Sequence, residues 1–442
     1  MKRLYMFFLG TTLMSLMPLL PLHSQETKTT LEARDLLQEL VAKKWGRKNT
    51  VLPSAKVLVQ YESDLGERWI VDFESGVITL ECLWSKNTLL SDKRIQEDMA
   101  CAISNLYMSI PIMPELMIQR QQQAGAIIAC NERHETDSYT VQQGDTLSQI
   151  AQQMRVTVAS IMAANNINNP DRIRINLKLS IPPSPPHLHL PDGKHATASE
   201  SLLNCQLTDP ESGEQINANN IGEFGKRLVH RNGIQGELIR GDDGRTRRIT
   251  RVQLKLTKNH LQIRARKYYP LVLENAKRFN HDPALIMAMV HTESAFNPRA
   301  SSHANAYGLM QLVPASGARE AYRWLHSKDI KPSPAYLMRP RENLELGSAY
   351  MQLLQDRIFA KVTNPKSRLY CAVAAYNGGG GNVGRTFSGR KSVQASVNQI
   401  NSKSPEQVLD MLKKNSPYKE TRNYMKRVFQ RIAIYRQPQW QP

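Results

Sequence analysis

The spacing of apolar positions changes along this chain, and each change marks an element. Lys2 and Arg3 precede an apolar run from Leu4 to Leu22. Residues 30–46 then carry a helical period that ends in Trp45 and Gly46. From Trp69 to Cys82, two β-branched, aromatic-rich runs flank Glu74, Ser75 and Gly76, which predicts a hairpin. Residues 92–122 return to a helical pattern with long polar side chains, including the Gln121–Gln123 run. Tyr139 to Pro182 reads as strand, turn at Gly144 and Asp145, helix, helix, strand. Thr146 is placed to cap the first of these helices, whose apolar positions Leu147, Ile150 and Ala151 share a face. Five prolines between Pro182 and Pro191 then predict a stiff exposed linker. His187, His189 and His195 lie there at a spacing that matches no metal-ligand pattern. Residues 200–265 read as strands, with Val252, Leu254 and Leu256 alternating with Arg251, Gln253 and Lys255. From residue 266 the pattern is helical to the end. The class expected is a multidomain α+β protein.

Composition narrows the partners. A chain of 442 residues predicts two to four domains at roughly 100–200 residues each. With 41% apolar residues it is not wholly disordered, and a mean hydropathy of -0.46 excludes a multispan membrane protein. There are 58 Lys and Arg against 39 Asp and Glu, a net charge of +19, which predicts an anionic partner. Nucleic acid, anionic lipid and cell-wall polymer all satisfy that charge. The N-terminal run, with its basic start and the small Ser24, reads as a secretory signal over residues 1–24. An uncleaved anchor is the other reading, although Pro18 and Pro21 would break a spanning helix. Export makes nucleic acid a poor candidate. From Gly222 to Tyr268 there are thirteen Lys and Arg against four Asp and Glu, a candidate surface for an anionic polymer or simply a solvated basic face. The five cysteines are Cys82, Cys101, Cys130, Cys205 and Cys371, and the odd count leaves at least one thiol. Cys130 and Cys205 flank the 139–182 module, so a bridge at its base is one reading and several buried thiols the other.

The candidate chemistry lies in the helical half. Asp282 and Pro283 supply an N-cap and a first-turn proline. Ala284 to Val290 is apolar on every face, so this helix is expected to be buried. It ends in His291, Thr292, Glu293 and Ser294. A carboxyl at the end of a buried helix is desolvated and opposed by the helix dipole, so its pKa rises toward what a general acid needs. No Asp or Glu occurs from Ser294 to Arg319, which suits a one-carboxylate mechanism. No metal or cofactor is expected.

The pieces Glu293-Ser294 with Phe296-Asn297-Pro298, Gly308-Leu309-Met310-Gln311, Ala375-Tyr376-Asn377 and Tyr424 occur in an order that is specific together. Residues 266–435 resemble the lysozyme-like catalytic domain of the Slt-type lytic transglycosylases, which implies a catalytic domain over 266–442. The resemblance implies that Glu293 is the single acid and base, and that Ser294 orients it. It implies that Met310, Gln311, Tyr376 and Asn377 line a sugar groove, with Tyr424 positioning the carboxylate or the sugar. Trp45-Gly46 with Asn49, the Asp72–Glu81 hairpin, and Asn377 to Val383 with Phe387-Ser388 resemble the membrane-bound lytic murein transglycosylase C group. Residues 31–128 plus 200–265 would then be its non-catalytic N-terminal domain. That group is typically lipid-anchored. No Cys stands near residue 25 to carry such a lipid, so periplasmic export is expected, with peripheral membrane association and an uncleaved leader as the ways to reach a membrane. Tyr139-Thr140-Val141, Gly144 to Leu147, Asn165-Asn166 and Ile181-Pro182 resemble a LysM domain over 139–182, followed by the linker at 183–199. That family binds N-acetylglucosamine-containing glycans, which maps to Gly144, Asp145 and Thr146 and to Ile167, Asn168 and Asn169. Ile175-Asn176 replaces the usual Pro-Gly, so a looser turn is expected. The activity implied is non-hydrolytic cleavage of peptidoglycan to 1,6-anhydro ends. A non-catalytic wall-binding scaffold and a hydrolytic muramidase are the competing classes.

Overall fold

The computed structural model describes residues 26–440, except 63, 90–92, 110–136, 154–160, 163–164, 166, 168, 171–172, 182–202, 204, 218 and 233–234. The leader at 1–24, the linker at 183–199, Cys130 and Asn168 therefore lie outside the described residues. In chain order the elements begin with helix α1 (Glu26–Trp45), strands β1 (Val57–Tyr61), β2 (Glu67–Asp72) and β3 (Val77–Ser85), and helix α2 (Lys93–Ser109). A separate compact unit, residues 115–200, holds β4 (Asp137–Thr140), α3 (Leu147–Gln153) and β5 (Lys178–Ile181). The first unit resumes with α4 (Ile221–Asn232), β6 (Gln235–Arg240) and β7 (Thr246–Lys255). Its helical part is α5 (His260–Arg278), α6 (Pro283–Ser294), α7 (Gly317–His326), α8 (Pro334–Leu337), α9 (Pro340–Leu353), α10 (Pro365–Gly378), α11 (Gly380–Ser388), α12 (Val393–Asn401), α13 (Pro405–Asn415) and α14 (Lys419–Tyr435). Two elements differ from the sequence pattern. Residues 200–265 include the amphipathic helix α4, and α5 begins at His260, before residue 266.

Five strands form one antiparallel sheet in the order β1-β2-β3-β7-β6. The hairpin forms where the sequence placed it, with Asp72 opposite Val77 and the turn at Phe73–Gly76. β3 is central, and five consecutive residues from Ile78 to Cys82 are buried, as expected for a strand covered on both faces. Leu37, Val41 and Trp45 of α1 cluster with Val59, Tyr61, Ile239 and Ile249 of the sheet. Arg68 lies over the Trp45 ring, 3.9 Å from its centroid, and donates to the buried Glu81 at 2.6 Å. Arg251 donates to the other oxygen of Glu81 at 2.6 Å. The predicted alternation in β7 holds: Val252, Leu254 and Leu256 are buried.

The helical core is built around α6. Asp282 caps it by accepting from the Ala284 N–H at 2.9 Å, and Pro283 follows as its first residue. Every residue from Ala284 to Thr292 is buried. The helix stops because Ala295 takes a left-handed conformation, φ 49°, and Phe296 follows at φ 62°. Among the described residues no helix is long and apolar enough to cross a membrane.

In the 115–200 unit, β4 pairs with β5, and Val141, Leu147, Ile150, Ile161 and Leu179 form a small core. Thr146 makes a reciprocal cap with Gln149: Oγ1 accepts from the Gln149 N–H at 3.2 Å, and Gln149 Oε1 accepts from the Thr146 N–H at 3.1 Å. The turn at Ile175-Asn176 is closed. Leu177 N–H donates to Arg174 O at 3.0 Å, and Asn176 takes the φ of 66° that glycine usually supplies.

Candidate active site

Glu293 sits one residue before the end of α6, half-buried, with α14 packed along the same helix. Burial pushes its carboxyl up to about 8, and the charge of Glu420 adds to the rise. The Tyr424 hydroxyl, Lys56 and Arg427 pull against that rise. The Tyr424 hydroxyl is buried, and beyond its interaction with Glu293 no polar atom among the described residues satisfies it. Tyr376, from α10, is also close enough to Glu293 for the carboxylate charge to raise its phenol, after burial.

The loop after α6 is tied down by three side chains. Ser294 Oγ is buried and donates to Leu309 O at 2.8 Å and Val290 O at 3.1 Å, so it joins the helix end to the loop. Asn343, from α9, is fully buried and holds the loop from below. Its Oδ1 accepts from the Met310 N–H at 2.7 Å, and its Nδ2 donates to Tyr307 O at 2.9 Å and Leu337 O at 2.7 Å. The Tyr376 hydroxyl donates to Met310 O at 2.8 Å, and its ring lies 5.5 Å from that of Tyr350.

Gly308 makes this turn with φ 77°; a Cβ there would stand 2.1 Å from Leu337 O. The Met310 side chain is in the core, not in a groove. It packs on Gly347, where a Cβ would stand 2.3 Å from its sulfur, so α9 needs glycine at that crossing. Gln311, at φ 49°, donates to Gly308 O at 3.1 Å, and its Oε1 is buried without a partner. That leaves one acceptor available to a hydroxyl or amide donor. Asn377 Oδ1 accepts from Thr421 Oγ1 at 2.9 Å, joining the end of α10 to the start of α14.

The structure therefore brings Glu293, Tyr376 and Tyr424 together, with Gln311 and Asn377 on the adjoining loop and helix ends. It assigns Ser294 and Met310 to the support beneath. The sequence pattern did not single out Lys56, Arg427, Asn343 or Tyr350. Asn343 and Tyr350 lie inside an ordinary amphipathic helix. Lys56 lies in a short loop more than two hundred residues upstream of Glu293.

In the smaller unit, Asp145 Oδ2 accepts from Tyr139 Oη at 2.9 Å and from the Gln142 N–H at 2.7 Å, and Thr146 is engaged in its cap. Both side chains thus shape the turn. Gly144, exposed at φ 91°, offers backbone, and Asn169 is exposed, while Ile167 packs against the small core. Asn165 fixes this segment to β5 by accepting from the Ser180 N–H at 2.7 Å and donating to Ser180 O at 2.7 Å.

The predicted Cys130–Cys205 bridge is corrected. Cys205 is an exposed thiol in a turn at φ 63°, with Lys267 nearby, whereas Cys101 is disulfide-bonded. Cys82 and Cys371 are buried thiols. No group of three His, Cys, Asp or Glu among the described residues is arranged to hold a metal ion.

Comparison with known proteins follows the same division. Residues 270–399 match the transglycosylase SLT domain, 139–182 the LysM domain, and 24–98 the N-terminal domain of membrane-bound lytic murein transglycosylase C. The transglycosylase SLT match thus falls on the helical half, around a buried helix that ends in one desolvated carboxyl. The relatives are more particular. Membrane-bound lytic murein transglycosylase C of Actinobacillus pleuropneumoniae is 36% identical over 236 residues, which is 53% of this chain and 62% of that protein. The same-named protein of Mannheimia succiniciproducens is 36% identical over 239 residues, 54% and 65% of the two chains. That of Histophilus somni is 39% identical over 185 residues, 42% and 50%. The chain thus spans about 62% of the length of the first curated relatives it matches. Among solved structures, the 70-kDa soluble lytic transglycosylase of Escherichia coli is 25% identical over 38% of this chain and 24% of that one, at a TM-score of 0.29.

Proposed function

We propose that this chain is an exported, membrane-associated peptidoglycan lytic transglycosylase that cleaves the β-1,4 bond from N-acetylmuramic acid to N-acetylglucosamine. The observation that carries this reading is Glu293, a carboxyl held up to about 8 by burial at the end of an apolar helix, beside the buried Tyr424 and the half-buried Tyr376. Such a group stays protonated at neutral pH and can act as an acid. Glu293 protonates the glycosidic oxygen as the bond to the muramoyl C1 breaks. The substrate's N-acetyl group stabilises the positive ring. Glu293, now a carboxylate, accepts the proton of the muramoyl 6-hydroxyl as O6 bonds to C1, which closes the 1,6-anhydro ring. Intramolecular attack has a high effective molarity and needs no water. Tyr424 supports the charged form of Glu293 and Tyr376 holds the loop carrying Gln311, whose unpaired oxygen suits a sugar hydroxyl or amide. The LysM match supports glycan binding through the loops bearing Gly144, Asp145 and Thr146 and Ile167, Asn168 and Asn169.

One observation favours a second reading, a hydrolytic muramidase. Glu420, exposed in the first turn of α14, is a second carboxylate whose charge reaches Glu293. Mass spectrometry of digested sacculi separates the two, because anhydro and reducing ends differ by one water. The transglycosylase reading expects anhydro ends from the intact chain and a loss of about 100-fold or more in Glu293→Gln. Reducing ends would replace it with the muramidase. Unchanged anhydro release from Glu293→Gln would remove the assignment of that residue.

A further inference from the structure

Two turns of the N-terminal sheet reach the end of α6. One holds Ala55 and Lys56, just before β1; the other holds Phe73 and Glu74, between β2 and β3. Asn297 donates to Ala55 O at 3.4 Å. The fully buried Arg264 joins both sides, donating Nη2 to Phe73 O at 2.5 Å and Nε to Ala295 O at 3.2 Å. Lys56 binds the Glu74 carboxylate, and Arg431 of α14 binds it as well. The same Arg431 donates Nη1 to His291 O at 3.1 Å and to Thr292 Oγ1 at 3.2 Å, on the two residues directly before Glu293.

We propose that Lys56 and Glu74 are positioning residues for Glu293: the sheet domain sets the orientation and the electrostatic environment of a carboxyl it does not carry. This rests on the proposed function. The groups facing Glu293 are Tyr424, Glu420 and Arg427 from α14, Tyr376 from α10 and Lys56 from the sheet domain. His291 stays uncharged, its pKa driven down to about 3 by burial and then by Arg431, and Nδ1 shares a hydrogen bond with Tyr435 Oη at 2.9 Å. Glu74 is held below its ordinary range: burial works to raise it, and the Lys56 hydrogen bond with the charges of Lys56 and Arg431 outweighs that. Burial pulls Lys56 down, and Glu74 opposes this. The cluster is thus one anion shared by two cations, and removing either sign unbalances it.

The two substitutions push Glu293 in opposite directions. Lys56→Met removes a cation and leaves Glu74 paired with Arg431, so the Glu293 pKa rises. Glu74→Gln leaves Lys56 and Arg431 uncompensated, so it falls. A turn that only held the two domains together would not produce opposite shifts. The test uses the full chain, carboxyl-labelled at glutamate, with Glu293 titrated by NMR in the intact protein, Lys56→Met, Glu74→Gln and Lys56→Arg; Glu293→Gln assigns the signal.

The expected result is a midpoint above the intact protein's in Lys56→Met, below it in Glu74→Gln, and restored in Lys56→Arg. The alkaline limb of kcat/KM for anhydro release should move with it, and kcat should fall about 10-fold with KM held. Midpoints that do not move, or that move the same way, overturn the proposal. If Glu74→Gln does not fold by circular dichroism, an unmoved Lys56→Met midpoint alone overturns it. The titration needs no turnover, so an intact chain that releases no anhydro ends counts against the proposed function and not against this inference.

Discussion

Glu293 trades solvation for reactivity, and the sign of that trade is measurable. Its folded pKa of about 8 lies above its ordinary 4.5, so the folded chain holds this proton more tightly than the unfolded chain does. Stability from this group is therefore fully present below pH 4.5 and is lost as pH rises toward 8. Glu293→Gln removes the cost of ionising a buried carboxyl. Its melting temperature should exceed that of the intact chain by a few degrees in mildly alkaline buffer, and the gap should close in mildly acidic buffer. Calorimetry at the two pH values checks this; a constant gap would mean the carboxyl is not desolvated. The same value fixes the activity profile, which should hold through neutrality and fall above a pH of about 8.

At the scale of elements, the turn from Ala306 to Gln311 depends on one buried amide. Asn343 satisfies the Met310 N–H and the Leu337 carbonyl, and it is a second donor to Tyr307 O, which also accepts from the Leu312 N–H at 3.0 Å. Asn343→Ala strands the Met310 N–H and the Leu337 carbonyl and should destabilise the chain by about 2–4 kcal/mol, read from denaturant unfolding. An Asn343→Asp protein keeps the acceptor to Met310 N–H but loses both donors, so it should fall between the two. Full stability in Asn343→Ala would mean the loop repairs its own hydrogen bonds. The order of these pieces was legible in the sequence, because Asp282-Pro283, Gly308 and the glycines after Asn377 carry local turn chemistry. The roles beneath them were not. Whether Met310 faces a groove or the core depends on Gly347, and whether Ser294 meets Glu293 or Leu309 depends on the left-handed residue Ala295.

For the whole molecule, the basic stretch from Gly222 to Tyr268 is less free than its composition suggests. Arg264 is buried, Arg247 pairs with Asp243, Arg251 with Glu81, and Arg227 with Asp209. Arg240, Arg245, Lys255, Lys258 and Arg266 are exposed and face solvent. Binding of the chain to purified sacculi in a pull-down should weaken steadily with added salt, because exposed charges are screened within about 10 Å at 0.1 M. It should not vanish if the LysM unit contributes uncharged glycan contacts. Binding that ignores salt would leave the net charge of +19 without a role at the wall.

The sequence by itself determined the elements whose cause is local. These are the hairpin around Glu74-Ser75-Gly76, the capped and buried helix ending at Glu293, and the Thr146 cap with its apolar face. Each rests on residues within a few positions of one another, and period, caps and turns are encoded at that range. Only the tertiary structure decided what surrounds the carboxyl. Lys56, Glu74, Tyr376, Tyr424 and Arg431 come from four distant segments, and long-range charge and packing leave no trace in local spacing. The helix start at His260 and the helix at Ile221–Asn232 escaped for a related reason. Their polar, basic surfaces resemble edge strands until the helices they pack against are known.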